Sequence, residues 1–222
     1  MEKPGLLAFD VNETLLSLAP LRALFQAKFG SEVSLAEWFA RLLHGSVLAN
    51  ALDQFRPFDE IGAESLVMMG RRRGLEVTLE EARSIVATLA EAPPHPDVPP
   101  AVERLADAGV RMIALTNGST TVANAQVSNA GLAHWLERVI SVDEVGRFKP
   151  DPLPYRHAAA AMGVGIDDMT LVAAHDWDCA GAMATGARAV FVARPDALWG
   201  LPSPPPEHVM SDLSPLAAEL GR

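Results

Sequence analysis

The chain has one cysteine, Cys179, and one tyrosine, Tyr155, among its 222 residues. A single thiol excludes an internal disulfide and fits a reducing cytoplasm. Basic residues are also scarce: 18 Lys and Arg stand against 28 Asp and Glu, for a net charge of −10. That balance argues against a nucleic-acid partner or an acidic membrane surface. No apolar run is long enough to span a bilayer. No basic segment with a long apolar run precedes Asp10, so no signal peptide is expected. Internal repeats are missing, and the nearest thing to low complexity, Pro202 to Pro206, reads as a linker to the C-terminal segment. What is present is apolar mass. Hydrophobic residues make up 49% of the chain, enough to bury a sizeable core. The length suits one large domain, or a core with a smaller inserted domain.

The stretch Leu6-Leu7-Ala8-Phe9-Asp10 is an apolar run that ends in a carboxylate, with Thr14 four residues on. A buried parallel strand delivers a carboxylate to the mouth of an α/β sheet in this way. Asn12 stands two residues after Asp10. An amide cannot give or take a proton as a second carboxyl would. The strand therefore offers a nucleophile without the acid partner that a phosphate-ester hydrolase would want nearby.

Beyond the first strand, about Gly5 to Asp10, some eighty residues read as helices. Leu18, Leu21, Leu24, Phe25 and Phe29 keep helical spacing, and Gly30 is placed to stop that helix. Ser34 and Glu37 form a capping-box pattern before Trp38, Phe39, Leu42 and Leu43. Thr78 and Glu81 form another, and Pro93, Pro94 and Pro96 end the block. From Pro99 strands and helices alternate. The strands are expected at Val110–Thr116, Val139–Val142, Met169–Ala173 and Ala189–Val192. Helices are expected from about Ser119, Pro152 and Asp178. This alternation predicts an α/β fold, a doubly wound, Rossmann-like parallel sheet. The core would comprise residues 1–14 and 95–222, with residues 15–94 as an inserted helical cap over the carboxyl ends of the strands, where such folds bind ligands.

Four polar clusters fall at or just after predicted strand ends: Asp10 with Thr14, Thr116-Asn117-Gly118-Ser119, Phe148-Lys149-Pro150, and His175-Asp176-Trp177-Asp178. In that order they resemble the four motifs of the haloacid dehalogenase superfamily, over nearly the whole chain. Within it the chain is most similar to the type II L-2-haloacid dehalogenases. The similarity rests on Arg41 after Trp38-Phe39, Asn117 after a hydroxyl residue, Lys149 before Pro150-Asp151, Tyr155 six residues on, and Trp177 before Asp178.

The resemblance implies a metal-independent hydrolase that converts a short (S)-2-haloacid to the 2-hydroxy acid and halide. Asp10 would attack the halogen-bearing carbon, and water would then cleave the aspartyl ester. Donors on Arg41, Asn117 and Trp177 would receive the departing halide. Lys149 would keep Asp10 ionised, Asp178 would orient Lys149 or the water, and Thr14 would be a further hydrogen-bonding partner. Thr116 and the helix start beyond it would grip the substrate carboxylate. Asn12 and Tyr155 complete the implied binding set, and the family allows a homodimer through the cap. No cofactor and no metal are implied.

The departures from the family are local. Asn12 replaces its usual tyrosine, and Ala173-Ala174-His175 replaces Ser-Ser-Asn. With the water-holding serine missing at Ala173, His175 is expected to take over as general base. Phosphatases of the superfamily bind magnesium partly through a carboxylate at the position of Ala173; a shifted alignment would offer Asp176 and Asp178 instead. Two rival functions follow: a magnesium-dependent phosphatase of a small substrate, and a non-catalytic protein that binds a small acid or a protein partner. Cys179 reads as a buried, inert thiol. His44, His95, His134, His157 and His208 show no metal-ligand spacing and read as incidental. Arg71 to Arg73 read as a solvated helix end.

Overall fold

A computed structural model describes residues 2–31, 33–195 and 197–221. The elements run β1 (Leu6–Phe9), α1 (Ala19–Phe29), α2 (Val33–Ala51), α3 (Phe58–Arg72), α4 (Leu79–Ala87), α5 (Val98–Asp107), β2 (Met112–Thr116), α6 (Thr120–Asn129), β3 (Arg138–Ser141), α7 (Pro152–Ala161), β4 (Met169–Ala173), α8 (Asp176–Ala184), β5 (Arg188–Val192), β6 (His208–Met210) and α9 (Ser214–Leu220). The strands form one parallel sheet in the order β3-β2-β1-β4-β5-β6. The fold is α/β and doubly wound, as the alternation predicts.

The strand sequences explain why the sheet is buried on both faces. In β1, Leu7 and Phe9 join one apolar cluster while Leu6 and Ala8 join another. β2 divides the same way, Met112 and Ala114 against Ile113 and Leu115. Successive side chains of a strand point to opposite faces, so a continuous apolar run feeds two layers at once. The first layer takes α5 through Val98, Val102 and Leu105 and α9 through Leu216 and Leu220. The second takes α7 through Tyr155 and Ala158 and α8 through Cys179 and Ala182.

Between β1 and α5 lies the helical block α1 to α4. Its apolar side, including Leu21, Phe25, Trp38 and Leu66, is continuous with the first layer. Trp38 is fully buried and donates its indole N–H to the Gly62 carbonyl at 2.8 Å, tying α2 to α3. Gly30 ends α1 at φ 73, a left-handed turn that costs glycine nothing. Thr78 caps α4 by accepting from the Glu81 N–H at 3.1 Å.

Some local expectations are corrected. Ser34 does not cap α2: the helix already starts at Val33, and the buried Ser34 hydroxyl lies inside it without a partner. Leu24 keeps the helical spacing of α1 but is exposed. α8 begins at Asp176 rather than Asp178. β5 does not close the sheet, because His208–Met210 adds a short edge strand beyond it. Arg73 is more than a solvated end, since it pairs with Glu37 at 2.6 Å and lies over the Phe29 ring. Among the described residues no helix is long and apolar enough to cross a membrane.

Candidate active site

The chain order reverses at β1. β2 and β3 are laid down on one side of it, and β4, β5 and β6 on the other. The carboxyl ends of β1 and β4 therefore border a crevice, the position where open α/β sheets bind ligands. Asp10 follows β1 directly, and His175 follows β4 by two residues.

The Asp10 carboxylate is buried and held by three donors. Lys149 Nζ donates to Oδ1 at 3.0 Å; Oδ2 accepts from the Thr14 hydroxyl at 2.7 Å and faces His175 Nδ1 at 3.1 Å. A carboxylate has about four lone-pair sites. The site left open is on Oδ1, which makes Oδ1 the oxygen available for attack. Burial opposes the charge on Asp10, but the Lys149 ammonium and the His175 ring outweigh it and hold the carboxyl well below the usual carboxylate range. Asp10 is thus an ionised carboxylate rather than a proton donor.

Lys149 is fully buried, and its three ammonium protons are all placed. They reach Asp10, Asp178 Oδ2 at 2.5 Å and the Leu115 carbonyl at 2.9 Å. Burial works against its charge, but the two carboxylates more than compensate and raise its pKa. Asp178 is buried too, and burial pushes its carboxyl up despite Lys149. Its other oxygen accepts from the Tyr155 hydroxyl at 2.6 Å. Gly181, one turn further along α8, is where the helix closes on this cluster. A Cβ there would stand 2.5 Å from Pro150 Cβ and 2.7 Å from the Tyr155 hydroxyl.

Thr14 joins the two strand ends. Its hydroxyl donates to Asp10 and accepts from the Ala174 N–H at 2.9 Å. Asn117 holds the peptide of Lys149: its carbonyl accepts from the Lys149 N–H at 2.8 Å, and its amide donates to the Lys149 carbonyl at 3.4 Å. Thr116 accepts from the Gly118 N–H at 3.0 Å and shapes the turn after β2.

Asp10, Thr14, Lys149, His175 and Asp178 are brought together as expected, but several other residues are not where the resemblance puts them. Arg41 pairs with Glu37 on its own helix and lines a groove on the block of helices with His44 and Arg72. The α2 side chain that reaches the nucleophile's surroundings is Phe39, stacked on His175 with ring centroids 5.5 Å apart. Asn117 gives one of its two amide protons to the Lys149 carbonyl and so holds that peptide. Tyr155 is fully buried behind Asp178 and does not line the cleft. Asn12 accepts from Gln126 at 2.8 Å and lines only a small hollow beside Leu42 and Phe58. Trp177 stacks on His175 at 5.2 Å.

The groups around His175 favour its charged form. Nδ1 faces Asp10, and Nε2 faces Glu13 Oε2 at 3.1 Å. A neutral imidazole has one N–H, so it would set a lone pair against one of these carboxylates. Only imidazolium donates to both. Burial disfavours that charge, but hydrogen bonds to Asp10 and Glu13 prevail and raise the pKa from 6.5 to about 10. In this state the ring has no lone pair with which to accept a proton from water.

A cleft of about 460 Å³ opens beside His175 and Ala174. Its charged lining is mostly cationic, with Arg22 from α1, Arg194 after β5 and His175 against Glu13. Arg194 is anchored by Asp97 at 2.6 Å and donates to the Thr14 carbonyl at 2.8 Å. His95, read from sequence as incidental, faces the Glu13 carbonyl at 3.1 Å. Glu13, Arg22 and Arg194 were not legible as site residues. Arg194, two residues past a strand end, carried the only usable signal.

The donor set does not fit magnesium. Both oxygens of Asp10 already face cations, Lys149 and His175, and a third would be repelled. Asp178 is enclosed by Lys149 and Tyr155, and Asp176 accepts from the Trp177 and Gly200 N–H groups. Among the described residues no cluster of three or more His, Cys, Asp or Glu side chains is arranged for a metal.

The haloacid dehalogenase-like hydrolase family model matches residues 5–184, and the chain belongs to that family of hydrolases. Two relatives show the breadth of the resemblance. (S)-2-haloacid dehalogenase 2 of Pseudomonas sp. (strain CBS-3) is 28% identical over 211 residues, covering 94% of this chain and 92% of that protein. Phosphoserine phosphatase of Thermus thermophilus is 31% identical, covering 85% and 88%. The crystal structure of the L-2-haloacid dehalogenase RSc1362 superposes with a TM-score of 0.92 over 99% of this chain and all of that one; at 21% identity this is a likeness of fold.

Proposed function

We propose that the protein is a metal-independent dehalogenase of short 2-haloacids, turning an (S)-2-haloacid into the 2-hydroxy acid and halide through an aspartyl ester on Asp10. The observation that carries this reading is the ionised Asp10 with cations on both its oxygens. With Lys149 on one oxygen of Asp10 and His175 on the other, a further, divalent cation there is disfavoured. In-line displacement at carbon needs a carboxylate nucleophile and no acid to protonate a phosphate-ester leaving group. Helices α1 to α4, residues 15–94 in all, act as a cap over the cleft. Arg22, which lines the cleft, takes the substrate carboxylate in place of Thr116; Arg41, expected at the halide, lines another groove. Phe39 and Trp177, both stacked on the His175 ring, supply the apolar surface beside it.

The same reading takes the protein to be cytoplasmic, with its one thiol buried and burial pushing that thiol's pKa up. It also allows a homodimer through the exposed Leu48, Leu52 and Met68 of the cap.

The test is halide release from each enantiomer of 2-chloropropionate with a chelator present. Release from the L form alone supports the proposal. No release, together with magnesium-dependent hydrolysis of a phosphate monoester, would make the protein a phosphatase, as one relative's name allows.

A further inference from the structure

The loop that leaves Asp10 closes on the Val11 carbonyl, which accepts from the Leu15 and Leu16 N–H groups, both at 3.0 Å. The carbonyls of Glu13 and Thr14 find their partners far away in the chain. His95 Nε2 meets the first at 3.1 Å, across 82 positions, and Arg194 Nη2 donates to the second at 2.8 Å, across 180. Peptide carbonyls held away from water need such partners.

The same place is where the helical block leaves the sheet and returns to it. The outgoing and returning segments are laced together. Ser17 N–H donates to the Pro93 carbonyl at 2.8 Å, His95 N–H donates to the Leu15 carbonyl at 2.9 Å, and Leu16 bridges Pro94. Asp97, just before α5, accepts from Arg194 Nη1 at 2.6 Å with one oxygen and from the Leu213 N–H at 2.9 Å with the other. Arg194 is buried. Its fork thus ties the returning segment, the approach to α9 and the peptide of Thr14 to the end of β5.

We propose that Arg194, anchored by Asp97, is a positioning residue that sets the nucleophile through Thr14. This rests on the dehalogenase reading for the role of Asp10. The Thr14 hydroxyl must reach Asp10 Oδ2 at 2.7 Å and the Ala174 N–H at 2.9 Å at once. Threonine is stiff at χ1, so the place of its hydroxyl follows its backbone. Moving the Thr14 peptide therefore moves the hydroxyl, and with it the carboxylate whose Oδ1 attacks. Arg194 fixes that peptide from the carbonyl side. A lysine could pair with Asp97, but its ammonium is a point charge without the rigid fork that spans Asp97 and the Thr14 carbonyl together.

The test is Arg194→Lys, followed by kinetics and by amide exchange in ¹⁵N-labelled protein. Lysine keeps a cation beside Asp97, so the fold should be retained. The kcat for L-2-chloropropionate should fall about tenfold or more with KM nearly unchanged, as small misplacements of reacting groups do. The Ala174 N–H should exchange about tenfold faster or more, while Leu171 in the middle of β4 keeps its wild-type protection. Asp97→Asn, which weakens the anchor but leaves an acceptor for the Leu213 N–H, should give the same pattern in milder form. Unchanged Ala174 exchange overturns the proposal. So does an equal rise at Ala174 and Leu171, which would make Arg194 a general stabiliser. A rise in KM with kcat unchanged also overturns it, and would place Arg194 on the substrate carboxylate. If the wild type turns over no haloacid while Ala174 alone loses protection in Arg194→Lys, the substrate reading fails and the placement of Thr14 by Arg194 stands.

Discussion

The hydroxyl of Tyr155 donates to Asp178 Oδ1 at 2.6 Å, and the opposite oxygen of the same carboxylate holds Lys149. The only tyrosine of the chain thus reaches the nucleophile through two intermediaries. Tyr155→Phe removes the donor and leaves a buried carboxylate oxygen bare. Such a loss costs about 1–3 kcal/mol. Denaturant unfolding should show that cost, and turnover should fall with little change in KM. A KM effect larger than the turnover effect would return Tyr155 to the substrate pocket.

Lys149→Met tests the centre of the site. Removing one partner of a buried ion pair typically costs about 3–5 kcal/mol, because the remaining charge is uncompensated. Here two carboxylates, Asp10 and Asp178, lose their common cation. Strong destabilisation and loss of turnover are expected. Adding Asp178→Asn should recover part of the stability but not the turnover. Full additivity of the two changes would mean that the residues do not act as a unit.

Gly181→Ala should act at the same place by crowding. The new Cβ meets Pro150 and the Tyr155 hydroxyl at distances that force something to move. Overpacking of this kind costs about 1–3 kcal/mol. Reduced turnover should accompany the lower melting temperature, since Pro150 adjoins Lys149. Wild-type stability would show that α8 yields freely at this point.

Arg41→Ala and Arg22→Ala should separate. Arg41 makes a half-exposed pair with Glu37, and such pairs contribute at most about 1 kcal/mol. Its loss should leave kinetics almost unchanged. Arg22→Ala should raise KM for the haloacid more than it lowers kcat. The reverse pattern would assign the substrate carboxylate to the cap groove.

The pH dependence of stability has two windows of opposite sign. The folded-state pKa of Asp10 is depressed from 3.8, so its contribution is present above that value and is lost as pH falls below it. The His175 pKa is raised from 6.5 to about 10, so its contribution is full below 6.5 and declines as pH rises toward 10. Melting temperatures of the wild type and His175→Asn should therefore differ at pH 6 and converge above pH 10. A gap that persists at high pH would mean that His175 stabilises by packing alone.

Legibility followed the length of the signal. β1, β2, β4 and β5 are continuous apolar runs, and burial on both faces of a parallel sheet requires just that pattern. β6 has three residues at a sheet edge after a proline-rich stretch, and nothing in so short a segment separates strand from loop. At the site, Asp10 was readable at a strand end, and Lys149 and Asp178 in the ordered polar clusters that follow the later strands. Glu13 was not. It looks like a loop acid, and its partner His175 lies 162 positions away in the chain.

What the sequence by itself determined was the alternation of strands and helices and the ordered polar clusters at or after strand ends. These follow from periodicity and local propensity, which act over a few residues. Only the tertiary structure decided that Phe39 rather than Arg41 meets the site, that Tyr155 stands behind Asp178, and that both ring nitrogens of His175 face carboxylates. Each of those depends on which remote group comes within 3 or so ångströms in a dry interior, where a hydrogen-bond partner or a carboxylate outweighs any local preference.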